Sequence, residues 1–571
     1  MAGPVHYEVY IRRTAPSPWA LEIATEHRAH AMDTAEDLLR DGYAAAVRVT
    51  KETLDPDTME FNSLTLLTKG VPEVKTRRIM AEEDAGPRCA TPYDLYAPMA
   101  REQMGRVLED WLQRQSATAF ELLHRPDLAE RLDASGVELQ HAIQKVAVPE
   151  SQADGVPLHD LMRHYQRLAD ATIERLVTAG RKDRFPSLEH HSLADLAHRL
   201  DGQSERAFIM GGVIARALIG LKDGRSRLAR LMDLADRAPA DGQARAMVLV
   251  PIEQILCEML GSRGGLTDIL GPSLDQGAAM AAVVRMVASR EVGLLVQLDP
   301  RLALQIPAVE GPAARLGERI EAGEFPLLSA ALARMVLREL MSPRRLRPGD
   351  PAGEIDILRA LATGLTATAG RLLTLEEVQN AFNERSKALV TADFVATYVK
   401  SCRTVLCEAE SLTRLCENVT GVANKRSAAR WLSACVSSLR FESEMRQTGG
   451  QTAAQKLGVL AGLQKAARAC GLSDKDEGDI TAAIGAIGAT VEGEARIVAL
   501  LSRSPAPAPQ KLAALLRMAA GDTAPLGPAA DRAKAEALKL FRAPDSRAAL
   551  AAAPETLAPL RTLMKAAGLA A

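Results

Sequence analysis

The chain has 571 residues, 47% of them apolar, which is enough for several domains with sizeable hydrophobic cores. Its 70 lysines and arginines are balanced by 72 aspartates and glutamates spread along the chain. This balance argues against nucleic-acid binding, because such binding needs a concentrated basic face. Only 3% of the residues are aromatic, while alanine, leucine and arginine recur, a composition that favours helices and is typical of a high-GC bacterial genome.

The first 70 or so residues show the two-residue period of β-strands. Tyr7, Val9 and Ile11 alternate with polar residues, and a second strand is expected over residues 19–23. A helix is expected from Thr25 to about Asp41, followed by strands at residues 47–49 and 61–67, with a turn at 55–57 between them. The pattern predicts a small α+β module of ββαββ order over residues 1–72.

After a charged, Gly- and Pro-containing linker at residues 73–91, the apolar period becomes helical. Breaks at glycines and prolines predict a mainly α, multidomain body that ends in a tethered helical bundle. The predicted parts are helical domains at 92–200, 201–343 and 354–502, a linker at 344–353, a Pro/Ala tether at 503–509 and a small bundle at 510–571. A weak sequence similarity between residues 228–258 and 412–442 leaves it open whether the body contains an internal repeat.

Cysteine usage and hydropathy bear on where the protein works. The chain has seven cysteines without a CxxC pair, which predicts reduced thiols in the cytoplasm. Four of them fall close together in the sequence and are expected to be small core residues: Cys402, Cys407, Cys416 and Cys435. The N-terminal residues show no secretory leader, and the most continuous apolar stretch, residues 480–491, is too short to span a bilayer. We expect a cytoplasmic protein without membrane insertion.

All ten histidines precede residue 199, so histidine chemistry would have to use the first part of the chain. His159 and Asp160, with His124 or His141 before them and Asp201 after them, resemble the H…HD…D pattern of metal-dependent HD-domain phosphohydrolases. That resemblance implies a metal held by two histidines and two aspartates, which activates water for attack on a phosphate. The apolar stripe of the local helix instead predicts that Asp160 faces solvent.

A second histidine group surrounds a predicted helix start. His190 and His191 precede the N-cap residue Ser192, and His198 follows about two turns into the helix, so the three side chains could approach a transition metal or haem. Polar residues at a helix start are the alternative interpretation. The basic residues 344–347 are likewise a solvated loop or, alternatively, a site for an anionic partner.

The sequence contains no GxxxxGK[ST], GxSxG or HExxH motif, and we assign no catalytic residue, metal ligand or cofactor. We expect a helical adaptor, scaffold or regulatory protein that binds protein partners, and leave a homo-oligomer open. The alternative is a metal- or cofactor-dependent enzyme that uses the histidine-rich residues 120–200.

Overall fold

The computed structural model describes residues 5–13, 19–54, 61–71, 88–240, 242–271, 274–447, 450–552 and 554–569. The predicted turn at residues 55–57 and residues 73–87 of the predicted linker lie outside these ranges. The chain divides into two compact units, Met1–Cys89 and Ala90–Ala571. We call the first the head and the second the body.

The head is the predicted ββαββ module. Its strands are β1 (Val5–Arg12), β2 (Ala20–Thr25), β3 (Ala46–Leu54) and β4 (Phe61–Gly70), and its helix is α1 (Arg28–Arg40). All neighbouring strands pair antiparallel in the order β2-β1-β3-β4, with Val9 opposite Val49 in the centre. The prediction of a mainly α protein with an N-terminal α+β module is confirmed.

The head has its own small core. Val9, Ile11, Val47 and Val49 project from the two central strands and are almost completely buried. Ala31 and Ala35 face them from α1, and their small side chains allow the helix to lie close to the sheet. α1 begins at Arg28 with His27 as its N-cap residue, two residues later than the predicted N-cap Thr25, and the Thr25 hydroxyl accepts a hydrogen bond from the His27 amide.

The body contains 28 α-helices in its described residues. Those before residue 240 are α2 (Pro98–Val107), α3 (Glu109–Gln115), α4 (Ala119–Leu122), α5 (Pro126–Ser135), α6 (Val137–Asp154), α7 (Leu158–Arg181), α8 (Leu193–Leu200), α9 (Arg206–Arg216) and α10 (Gly224–Asp236). Those of the middle part are α11 (Gly242–Gly261), α12 (Gly265–Leu270), α13 (Gln276–Val287), α14 (Ser289–Leu298), α15 (Pro312–Glu321), α16 (Pro326–Met341), α17 (Pro351–Ala367), α18 (Leu375–Leu389) and α19 (Ala392–Val399).

The remaining helices are α20 (Val405–Asn418), α21 (Val422–Val436), α22 (Leu439–Arg446), α23 (Ala453–Ala469), α24 (Asp474–Ala495), α25 (Ile497–Arg503), α26 (Ala508–Ala519), α27 (Pro528–Arg542), α28 (Pro544–Ala552) and α29 (Leu557–Ala566). Short 3-10 helices lie at Asp94–Tyr96, Pro300–Leu304 and Pro554–Thr556. Among the described helices, none has both the length and the apolar character that crossing a membrane requires.

Local sequence explains many of the helix starts. Proline occupies the first turn of α2, α5, α15, α16 and α17, where its missing N–H leaves no helical hydrogen bond unmade. Thr374 and Glu377 form a capping box at the start of α18. Ser192 is the N-cap residue of α8, as predicted, but its side chain makes no capping hydrogen bond.

One large aliphatic core runs through the body, from Phe120 to Ala567. The C-terminal helices belong to it, since α27 packs against α24 and α26. Within the predicted tether, Arg503 ends α25 and Ala508 begins α26, so residues 504–507 form the connection between two helices that contact each other. The division of the body into domains stays a prediction.

Candidate functional site

The His159–Asp160 pair lies on the exposed side of α7. Its side chains are 73% and 62% exposed, and His159 Nδ1 stands 3.9 Å from Asp160 Oδ1. The neighbouring cation is Arg163, whose Nη2 is 3.3 Å from both ring nitrogens of His159. A guanidinium at this position disfavours a bound metal cation, because like charges repel.

The other members of the HD-like pattern do not gather around this pair. His124 is buried, whereas His141 and Asp201 are exposed, and Asp201 forms an ion pair with Arg206 at 3.1 Å. In the described part of the chain, no group of three or more histidine, cysteine, aspartate and glutamate side chains is placed to hold a metal ion. The geometry therefore does not reproduce the arrangement that the resemblance implies.

His190 and His191 do share one cavity, with a volume of about 330 Å³. Its wall also carries Asp183, Glu189 and Arg216, so its lining is mostly polar. Arg216 Nη1 lies 3.5 Å from Asp183 Oδ1 and donates to the Phe185 carbonyl at 2.6 Å. His198 is exposed on α8 and does not line this cavity.

The basic residues 344–347 border a second cavity, of about 540 Å³. Their charges are largely matched within the fold: Arg347 Nε donates to Asp275 at 3.1 Å, and Arg345 Nε lies 3.2 Å from the buried Glu354 carboxylate. The buried Arg385 donates from Nη1 to the carbonyls of Ser342 and Arg344, at 2.8 and 2.6 Å. These contacts give the arginines a structural role in fixing the segment that joins α16 to α17.

His124 lies in an aromatic cluster in the body. Its ring stacks on Phe120 at 4.1 Å between centroids and meets Tyr96 edge-on at 5.3 Å. Its Nδ1 is 2.8 Å from the Phe120 carbonyl, which can only accept, so Nδ1 carries the proton. Burial lowers the pKa of His124 to about 4, so the imidazole is neutral at physiological pH. It is a buried core histidine.

Two helix-interior glycines make room for this cluster. A Cβ on Gly211 would lie 2.5 Å from the His124 ring, and one on Gly212 would lie 2.0 Å from Phe185. Both glycines are in α9, where each costs roughly 1 kcal/mol relative to alanine. The cost is offset by close packing of the two rings against the helix.

Two buried ion pairs connect the region around α4 to helices later in the chain. Glu258 accepts from Arg101 Nε and from the Phe120 amide, both at 2.7 Å. Glu121, completely buried, pairs with Arg227 and caps α4 through its bond to the Thr118 amide at 2.9 Å. Every one of these groups has a protein partner, so the network has a structural role and offers no free acid or base.

Three of the exposed large apolar side chains of the body lie close together in the sequence, near residue 300. Leu294 and Leu298, one turn apart on α14, are 55% and 84% exposed, and Leu304 is 82% exposed. Leu304 ends the 3-10 helix Pro300–Leu304, which packs against α14. We call these three residues the leucine ridge. Large contiguous patches of exposed apolar side chains are typical of interaction surfaces.

Comparison of the chain with protein-family models, curated proteins and solved structures gives no match. The sequence pattern missed both the aromatic cluster around His124 and the leucine ridge. A signal for the first was the glycine pair inside the helical pattern of residues 206–216, since buried helical glycines often mark close packing. The ridge had a weaker signal, a proline at position 300, two residues after the leucine-rich residues 294–298.

Proposed function

We propose that this chain is an adaptor, scaffold or regulatory protein that acts through protein–protein contacts in the cytoplasm. The observation that supports the proposal is the leucine ridge, in which two of three large apolar side chains are more than four-fifths exposed. Burying a leucine side chain contributes roughly 1.5–3 kcal/mol. A partner that covers the ridge would therefore gain on the order of 4 kcal/mol, which contributes to the affinity of a larger interface.

The spacing of the ridge indicates the kind of partner. Leu294 and Leu298 stand four residues apart on one helix face, the spacing by which a helix inserts apolar side chains into a groove. The polar neighbours Asp299 and Arg301 pair with each other at 2.9 Å, so they add little net charge to the edge of the ridge. We propose that the partner is a protein with an apolar groove.

The test compares two variants of the full chain that carry aspartate in place of exposed leucine. The ridge variant is Leu298→Asp with Leu304→Asp, and the matched control is Leu439→Asp, a leucine 83% exposed at the start of α22. Because all three side chains face water, each variant should melt at the wild-type temperature. Quantitative cross-linking in cells that produce the chain should recover a partner with wild type and control, and at least tenfold less with the ridge variant.

Equal recovery with the ridge variant and the control would contradict a role for the ridge. Sedimentation of the purified chain at several concentrations tests whether the partner that covers the ridge is a second copy of the same chain. Self-association that the ridge variant abolishes would identify the homo-oligomer, whereas a monomer at every concentration would leave a different protein as the partner.

A second candidate function, a metal- or cofactor-dependent enzyme that uses residues 120–200, is supported by the cavity that His190 and His191 share. Native mass spectrometry of the full chain tests it directly. A retained metal or cofactor that disappears in the His190→Ala, His191→Ala variant would favour the enzyme, and a wild-type mass equal to that of the bare polypeptide would argue against it.

A further inference from the structure

Two cysteines flank the N-terminal end of α20. Cys402 lies two residues before the N-cap residue Thr404, and Cys407 lies in the first turn of the helix. Cys402 Sγ is 3.4 Å from the hydroxyl oxygen of Ser411. Ser411 is one helical turn beyond Cys407, so these two side chains occupy the same face of α20. The chain thus folds back to place the Cys402 thiol over the face from which Cys407 projects.

The electrostatics of the pair agree with direct contact between the thiols. The pKa of Cys407 is raised above its usual value, first by a hydrogen bond with the Cys402 side chain and second by burial. Both residues are half-buried, so small reagents can reach them. The Ser411 hydroxyl and the Cys407 thiol are the two hydrogen-bonding groups beside the Cys402 sulfur.

A third cysteine nearby differs in its environment. Cys435 is buried, and its sulfur lies 3.8 Å from the Val405 carbonyl. Burial raises the pKa of Cys435 to about 12, so its thiol stays protonated. Cys435 is therefore an unreactive neighbour and supplies a matched control.

We propose that Cys402 and Cys407 form a reversible intrachain disulfide, a modification site of this protein. The oxidant we propose is a low-molecular-weight disulfide such as oxidised glutathione. The Cys402 thiolate attacks one sulfur of that disulfide, which forms a mixed disulfide and releases one small thiol. The Cys407 sulfur, after losing its proton to water, then attacks the Cys402 sulfur, forms the intrachain bond and releases the second small thiol. Two protein thiols are oxidised and one small disulfide is reduced to two thiols.

The place of the pair links the modification to tertiary structure. The Glu444 carboxylate of α22 accepts from the amides of Val405 and Leu406, at 2.8 and 3.2 Å. The Thr404 hydroxyl accepts from the Cys407 amide at 3.1 Å. A bond between Cys402 and Cys407 would clamp the segment before α20 onto the first turn, next to the contact with α22. We expect the amides of residues 402–408 to exchange more slowly in the oxidised chain.

The test uses the full chain, oxidised by glutathione disulfide under native conditions and then alkylated with iodoacetamide. Trypsin cuts after Arg403, between the two cysteines, so the disulfide joins the peptides of residues 401–403 and 404–414. We expect this linked pair as the main product, the loss of two alkylation sites out of seven cysteines, and complete reversal by dithiothreitol. Cys402→Ser and Cys407→Ser should each abolish the linked pair, while Cys435→Ser should leave it unchanged.

Two results would overturn the proposal. One is stable glutathionylation of Cys402 and Cys407 without a linked pair, which would mean that the thiols cannot reach bonding geometry. The other is a linked pair that involves Cys435 or another cysteine at equal yield. Circular dichroism of the serine variants checks the fold, since serine at 402 keeps a hydrogen-bonding group beside Ser411.

Discussion

His124 makes the stability of the body depend on pH, and the sign follows from its burial. The pKa of its imidazole is about 4 in the folded chain, against 6.5 for an exposed histidine. As the pH falls through 6.5, the histidine of the unfolded chain binds a proton, whereas His124 of the folded chain stays neutral. The stabilising contribution is therefore complete above pH 6.5, is lost between pH 6.5 and 4, and falls no further once both states bind the proton.

The size of the effect follows from the difference between the two pKa values. Each pKa unit corresponds to about 1.4 kcal/mol, so the full window is worth about 3 kcal/mol. Between pH 7 and pH 5 the free energy of unfolding should fall by about 2 kcal/mol because of this one group. His124→Gln keeps an N–H that can donate to the Phe120 carbonyl but does not titrate, so it should lack this part of the loss.

Urea unfolding at pH 7 and pH 5 measures the difference. With Trp19→Phe and Trp431→Phe in both proteins, the buried Trp111 of α3 is the single remaining tryptophan and reports on the body. Between the two pH values, the free energy of unfolding of the wild type should fall by about 2 kcal/mol more than that of His124→Gln. Equal losses would falsify the assignment of this pH dependence to His124.

Two further perturbations probe the same part of the body by thermal unfolding. Gly212→Ala places a Cβ 2.0 Å from Phe185 and should lower the free energy of unfolding by about 1–3 kcal/mol. The control Gly105→Ala in α2, where a Cβ would meet no atom within 4 Å, should be neutral or stabilising. Equal melting temperatures of the two variants would contradict the packing argument. Glu121→Gln leaves the buried Arg227 without its counter-ion and should cost about 3 kcal/mol, against less than about 0.5 kcal/mol for the exposed Glu130→Gln.

The head could be predicted because its pattern is local. Alternation of Tyr7, Val9 and Ile11 with polar residues fixes which face of β1 is buried, and the same logic holds for Val47 and Val49 in β3. The start of α1 was less predictable, since the Thr25 hydroxyl does accept a hydrogen bond from the His27 amide but His27 itself is extended and is the N-cap residue. Where the helix begins depends on the backbone angles of two or three residues, which the sequence pattern does not specify.

The candidate sites were harder to predict because each depends on contacts between distant or irregular positions. Cys402 and Cys407 are five residues apart, a spacing that shares no helix face, and they meet only because Cys402 precedes the N-cap residue. His124 is buried by Phe208 and Gly211, more than 80 residues later in the chain. An exposed leucine such as Leu298 looks the same in sequence as a core leucine. Hydrophobic periodicity reports which face of an element is apolar, not what covers it.

The buried ion pairs join parts of the chain that the sequence pattern separates near residue 200. Arg101 pairs with Glu258, and Glu121 pairs with Arg227, so each pair has one member on either side of that position. A chain cut there would separate Arg101 from Glu258 and Glu121 from Arg227, and would leave Glu121 the longer ion pair with Arg125, at 3.6 Å. Removing one member of a buried pair costs about 3–5 kcal/mol. In a helical pattern a charged residue normally indicates an exposed face, so hydrophobic periodicity could not reveal these pairs. Because each half supplies counter-ions to the other, the helices before and after residue 200 stabilise each other.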